Sequence, residues 1–132
     1  KEEQHLRELA KKLHVEQQVR FLGYRKDVLE IYQMADIFVF PSLREGLSVA
    51  VMEAMASGKA VVCSKIRGNM DLIAETEVMA APTDAEGLCK AIEKVLCDDE
   101  YRKFLENKNY KTAQKFDKEN VVKIVKEIYS KN

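Results

Sequence analysis

The sequence predicts a layered α/β/α domain built on a parallel β-sheet. Three observations lead there. Short β-branched and aromatic runs alternate with stretches of helical periodicity. One of those runs, "DIFVFP" (36–41), is continuously apolar and closed by Pro41, as suits a strand buried on both faces. Strand and helix then alternate at the spacing of crossover units, whose strands lie parallel.

Taken in order, Leu6, Leu9, Ala10 and Leu13 recur at helical spacing and mark an amphipathic helix over residues 1–14. "VRFLGY" (19–24) is short, β-branched and aromatic, and reads as a strand. "KDVLEIYQMA" (26–35) returns to helical spacing. After the strand at 36–41 comes a helix over 45–57, stopped by Gly58, a residue suited to the left-handed turn at a helix end. "KAVVCS" (59–64) is a strand, 68–75 a short helix, and "EVMAAP" (77–82) another strand. Thr83 or Asp84 can cap a helix striped with Leu88, Ala91, Ile92, Val95 and Leu96. Residues 99–115 and 117–132 read as two further helices, the last carrying Val121, Ile124, Val125 and Ile128. Doubly wound domains usually open on a strand whose following turn holds phosphate. This chain opens on Lys and on a helix, so one or two leading strands are expected to be missing from it.

Composition limits the function. The 132 residues are 46% hydrophobic and 33% charged, which fits a single globular domain, residues 1–132, or part of a longer protein. Lys plus Arg and Asp plus Glu both number 22, so the formal charge is zero, against a general nucleic-acid binder. No apolar run approaches the ~20 residues of a membrane helix, and the N-terminus lacks the apolar region of a secretory signal. Cys63, Cys89 and Cys97 have no paired spacing, so a reducing cytoplasm is the expected location. All three read as small core hydrophobes, with Cys63, at a strand end facing the cleft, the mild candidate for reactivity. His5 and His14 lie nine apart without a partner at metal spacing and read as surface residues.

"REGLSVAVMEAMASG" (44–58) carries the chemistry. In open parallel sheets, ligands bind beyond the carboxyl ends of strands. The loop "PSLREG" lies on that rim, and the helix after it points its N-terminus there. Amides of Gly46, Leu47 and Ser48 would form an anion site. Gly46 permits close approach, and Ser42 and Ser48 can add hydroxyls. Glu45 at the rim can accept hydrogen bonds from a polyol. Glu53 stands in an otherwise apolar segment, where an ionised carboxylate needs donors. A ribose diol would supply two, and eight helical residues span about 12 Å, the reach of a nucleoside diphosphate sugar. A structural acceptor for a nearby Arg or amide satisfies the same spacing equally well.

"ADIFVFPSLREGLSVAVMEAMASGKAVVCS" resembles the signature of family 4 glycosyltransferases of the GT-B fold: AD-x-F-V-x-PS, E-G-[FL], a second Glu eight residues later, then A-M-A-x-G. "VRFLGY", "RGNMDLI" and "APTDAEGLCKAIEKVL" match further ordered blocks, so the resemblance covers nearly the whole chain from about residue 6. It implies the Rossmann-like C-terminal half of that fold, binding a nucleoside diphosphate sugar without a metal and retaining anomeric configuration. By position it implies that Glu45 meets the donor sugar, with Glu53 on the ribose. Gly46, Leu47 and Ser48 would hold sugar and phosphate oxygens, and Tyr24 and Arg25 would lie near the base. An absent N-terminal domain would hold a glycan or lipid-linked acceptor, and the full-length protein could sit peripherally at the inner membrane face. The version "KIRGNMDLI" resembles bacterial polysaccharide enzymes and places Arg67 and Asn69 in the donor-side loop, with Asp71 where Glu is usual. The Arg/Lys pair that neutralises the diphosphate in the family would precede Lys1.

Two other readings compete. A non-catalytic nucleotide-binding or protein-interaction fragment would share the fold but lack an upstream half in its reading frame. A response-regulator receiver would want an acidic cluster after an early strand and a Lys after a later one; neither is present.

Overall fold

The computed structural model describes residues 2–116; the helix read over 117–132 lies outside them. The elements run α1 (Glu2–Lys12), α2 (Val28–Met34), β1 (Ile37–Phe40), α3 (Val49–Ala56), β2 (Ala60–Ser64), α4 (Arg67–Met70), a 3-10 turn (Thr76–Val78), β3 (Met79–Ala80), α5 (Ala85–Cys97) and α6 (Asp99–Lys115). The strands form a parallel sheet in the order β1-β2-β3, with Ile37 opposite Ala60, Phe40 opposite Cys63 and Cys63 opposite Met79. The expected α/β architecture with flanking helices is what the chain adopts.

β2 is the centre. Successive strand residues point to opposite faces, and all five of its side chains are buried, so both faces are covered. Helices α3, α5 and α6 all pack against it. Val51, Met55, Val61, Val62, Val78, Val95 and Leu105 form the interior. Asn109, buried on α6, donates to the Lys59 carbonyl at 2.8 Å and ties α6 to the turn between α3 and β2.

Helix ends follow local chemistry. Asp84 and Asp98 accept from Gly87 and Tyr101 amides and cap α5 and α6. Gly58, at φ +70°, ends α3: its amide bonds Met55 O, and Lys59 N bonds Ala54 O. α1 ends in the same pattern, His14 N to Lys11 O and Val15 N to Ala10 O, yet the left-handed residue is His14, at φ +57°.

Two expected strands fare differently from β1 and β2. Residues 19–24 are not a strand: they join no sheet edge, and Phe21 instead packs against α1, with the Arg7 guanidinium 4.4 Å above its ring. The strand expected over 77–82 is cut to Met79–Ala80 by the 3-10 turn before it and by Pro82, which cannot donate to a ladder, just beyond. The helix expected over 68–75 shrinks to one turn, α4, whose Gly and Asn are weak helix formers.

Candidate functional site

The rim loop begins where β1 stops at Phe40 and ends at Ser48. The helix expected from residue 45 begins only at Val49. Ser48 is the reason: its backbone is extended, and its hydroxyl accepts from the Val51 amide at 3.3 Å, an N-cap that fixes the start. Three consequences correct the sequence reading. The buried Ser48 hydroxyl accepts from its own helix, so its oxygen is engaged there and its O–H is what remains to donate. The helix's orphan amides begin at the Ser48 cap, so Gly46 and Leu47 contribute loop amides; among the described residues the amides of Gly46, Leu47 and Ser48 donate to no protein acceptor. Finally, the path from Glu45 to Glu53 is half loop, so helical rise does not set their separation.

Glu45 is exposed at the rim. The Ser42 hydroxyl lies 3.4 Å from Glu45 Oε1 and 3.3 Å from the Arg44 carbonyl, so Ser42 and Glu45 belong to one cluster. Its backbone is held from below. Gly68, buried in α4, lies so close to the loop that a Cβ built on it would fall 1.7 Å from Gly46 O and 3.1 Å from Glu45 O. Only a glycine allows this backbone-on-backbone contact. Asn69, fully buried, anchors α4 in turn: its Nδ2 donates to the Ser64 carbonyl at the end of β2, 2.8 Å away. The Asn69 side chain thus points into the fold. Arg67 and Asp71, by contrast, are exposed.

Glu53 is half-buried on α3, between Met52 and Ala54, both of which are buried. Its Oε2 lies 3.5 Å from the hydroxyl of Tyr32 on α2. Partial burial pushes the Glu53 carboxyl above its usual range, an effect the Tyr32 hydroxyl opposes. Among the described residues no cation pairs with Glu53. The carboxylate therefore keeps accepting capacity beyond the phenol. Tyr32 itself is nearly buried and packs edge-on against Phe38 of β1, rings 5.3 Å apart.

The other expected members stand apart. Tyr24 is 77% exposed, and Arg25 is paired with Asp27 at the start of α2, Nε to Oδ1 2.7 Å. Neither hydrogen-bonds to Glu45 or Glu53. Cys63 is fully buried and its thiol is pushed up to about 12 by desolvation, so the strand-end cysteine is inert. The exposed thiols are Cys89 and Cys97, against their expected place in the core. Sequence reasoning missed Tyr32 and Gly68. A tyrosine inside an apolar helical stripe was the available signal for the first, since a buried phenol wants an acceptor.

Among the described residues, no helix is long and apolar enough to cross a membrane, and no cluster of three His, Cys, Asp or Glu could hold a metal ion.

The sequence profile of the family described as glycosyl transferases group 1 matches residues 1–112. The chain is similar to an N,N'-diacetylbacillosaminyl-diphospho-undecaprenol alpha-1,3-N-acetylgalactosaminyltransferase of Campylobacter jejuni, 37% identical over 79% of this chain and 28% of the relative. It is also similar to an O-antigen chain mannosyltransferase B of Escherichia coli, 32% identical over 77% of this chain and 27% of the relative. A D-inositol 3-phosphate glycosyltransferase of Corynebacterium urealyticum is 31% identical over 94% of this chain and 30% of the relative. The chain thus spans less than a third of each of these relatives.

Proposed function

The chain belongs to the glycosyl transferases group 1, and we propose that it is the donor-binding part of such an enzyme, taking a nucleoside diphosphate sugar. Glu45 receives hydroxyls of the donor sugar, with Ser42 steadying its carboxylate. The unpaired amides of Gly46 and Leu47 take the phosphate or sugar oxygens between the two glutamates. Glu53 accepts the ribose diol.

In the transfer, the bond from the anomeric carbon to the diphosphate oxygen breaks and its electron pair leaves with the nucleoside diphosphate. An acceptor hydroxyl oxygen bonds to the same carbon and yields its proton to the departing diphosphate oxygen. Charge develops on the leaving diphosphate, so amide donors aimed at it lower the barrier electrostatically. The reaction retains anomeric configuration, uses no metal and takes place in the cytoplasm. Its acceptor is a glycan or lipid-linked glycan held by a preceding domain. The names of the relatives support a bacterial polysaccharide or lipid-linked acceptor.

The observation that carries this reading is Glu53: a half-buried carboxylate, held by a phenol and paired with no cation among the described residues. Calorimetric titration with UDP, GDP and ADP sugars tests it. Glu53→Ala should weaken binding of the preferred donor by about tenfold or more, the loss of hydrogen bonds to a charged group. Unchanged affinity removes Glu53 from the ribose role.

A further inference from the structure

Glu45 and Glu53 offer acceptors, and Gly46 and Leu47 offer neutral amides. A diphosphate brings negative charge to this rim, and beside two carboxylates that charge costs binding unless a cation meets it. The contact between α4 and the rim loop decides which cation is in place.

A Cβ built on Gly68 would fall 1.7 Å from Gly46 O. The Gly68 Cα, one carbon–carbon bond behind it, is therefore at most about 3.2 Å from that oxygen. Arg67 comes one trans peptide step earlier, so its Cα is within about 7 Å of the same carbonyl. An extended arginine spans five bonds from Cα to its guanidinium carbon, about 6 Å. The guanidinium thus reaches the amides of Gly46 and Leu47.

Nothing else occupies it. Arg67 is exposed and, among the described residues, forms no ion pair, although Asp71 stands four residues further on. Arg7, Arg25 and Arg102, by contrast, are paired with Glu3, Asp27 and Asp99. The backbone beneath Arg67 is nevertheless fixed, by Gly68 against the loop and by Asn69 on the Ser64 carbonyl. Lys65 is close in sequence, but its amide bonds Ala80 O, which turns its backbone to the β3 side of β2, away from the loop after β1.

We propose that Arg67 binds the donor's diphosphate, its forked guanidinium taking phosphate oxygens next to those held by the Gly46 and Leu47 amides. The same fixed charge stabilises the diphosphate as it departs with the electron pair of the broken bond. This rests on the donor-binding reading and adds a residue to it.

Calorimetric titration of the full chain with UDP, GDP and ADP tests the assignment. For the diphosphate that binds the parent most tightly, Arg67→Gln should weaken binding by about tenfold or more, the loss of a hydrogen bond between charged groups. Arg67→Lys keeps the charge without the fork and should recover part of that loss. Added salt should weaken the parent more steeply than Arg67→Gln. Lys65→Gln removes the same charge nearby and should cost no more than about twofold. Melting temperatures of all variants should overlay the parent, because each substituted side chain is exposed. Unchanged affinity in Arg67→Gln, a Lys variant no better than the Gln one, or a tenfold loss in Arg44→Gln with none in Arg67→Gln would overturn the assignment. Glu53→Ala separates it from the donor reading. If Glu53→Ala weakens the diphosphate and Arg67→Gln does not, Arg67 alone is refuted; if the parent binds none of the three, the donor reading fails and Arg67 with it.

Discussion

Replacing Gly68 by Ala places a methyl group where the main chain of the rim loop already stands. The added carbon would lie 1.7 Å from Gly46 O and 2.8 Å from its carbonyl carbon, whereas ordinary contact begins at 3.4 Å. Both neighbours are backbone, so no side chain can turn aside; α4 and the loop must part by about 1.7 Å. Neither yields easily, since Asn69 pins α4 to β2 and Ser48 pins the far end of the loop to α3. Overpacking of this kind costs about 2–3 kcal/mol, a fall in melting temperature of roughly 8–12 °C for a domain of this size. The same displacement carries the Glu45 backbone away from the site. Losing one hydrogen bond to a charged group then weakens donor binding by about ten- to a hundredfold. Gly46→Ala is the matched control. A Cβ there has nothing within 4 Å and needs no positive φ, so stability should hold to within about 0.5 kcal/mol, and any loss of donor affinity is confined to the ligand side. Thermal melts with parallel calorimetry separate the two variants. If Gly68→Ala melts within a degree or so of the parent and binds donor normally, the backbone contact does not build the rim.

Three further outcomes follow from the geometry. His14 is the left-handed residue at the end of α1, a conformation that costs a side chain about 1 kcal/mol relative to glycine; His14→Gly should raise the unfolding free energy by roughly that much in urea titrations, and a loss of stability would contradict it. Native protein should expose two thiols to Ellman's reagent, Cys89 and Cys97, with Cys63 reacting only in denaturant, because burial pushes its thiol up to about 12; a Cys63→Ser variant that loses a native-state thiol count would refute this. Burial raises the Glu53 carboxyl, so the folded state holds its proton more tightly than the unfolded chain, and stability falls as pH rises through the window between the unfolded and the raised folded pKa. Glu53→Gln should therefore gain stability over the parent above that window and match it below, as read from melting temperatures across pH, while donor binding by the parent tightens through the same window as the carboxylate ionises.

Which parts of this were legible in the sequence depends on how local their causes are. β1 and β2 were readable because continuous apolar runs demand burial on two faces, whatever surrounds them. "VRFLGY" carries equal β propensity but reaches no strand edge, so Phe21 goes to α1 instead; propensity cannot name a partner. The start of α3 was available locally, since a serine stands immediately before the helical run, but the small residues upstream hid it. Glu53 could be picked out because it is polar where the pattern is not, and Ser42 and Glu45 because their loop follows a strand onto the rim. Tyr32 could not, for its ring completes an apolar stripe and only its hydroxyl reaches Glu53, 21 positions away. Gly68 is the least local of all, since its reason is another glycine's carbonyl.

Charge logic orders the proposed donor along the site. Two carboxylates stand along the site, and a diphosphate beside either would meet like charge, at Glu53 in a partly desolvated place, which costs binding. The unpaired amides at Gly46 and Leu47 are neutral donors lying between them in the chain, so phosphate belongs there and uncharged hydroxyls belong at both glutamates. Hydroxyls also suit Glu53 better than a cation does. With desolvation raising its pKa and only a long phenolic contact opposing, the carboxylate gains most from donors that bring no charge of their own to desolvate. A permanent arginine would fill the same lone pairs and leave none for a ligand. In the proposed function, the polarity of the rim thus suits a molecule with diols at both ends and anionic oxygens between, and exchanging the roles of amides and carboxylates would reject it.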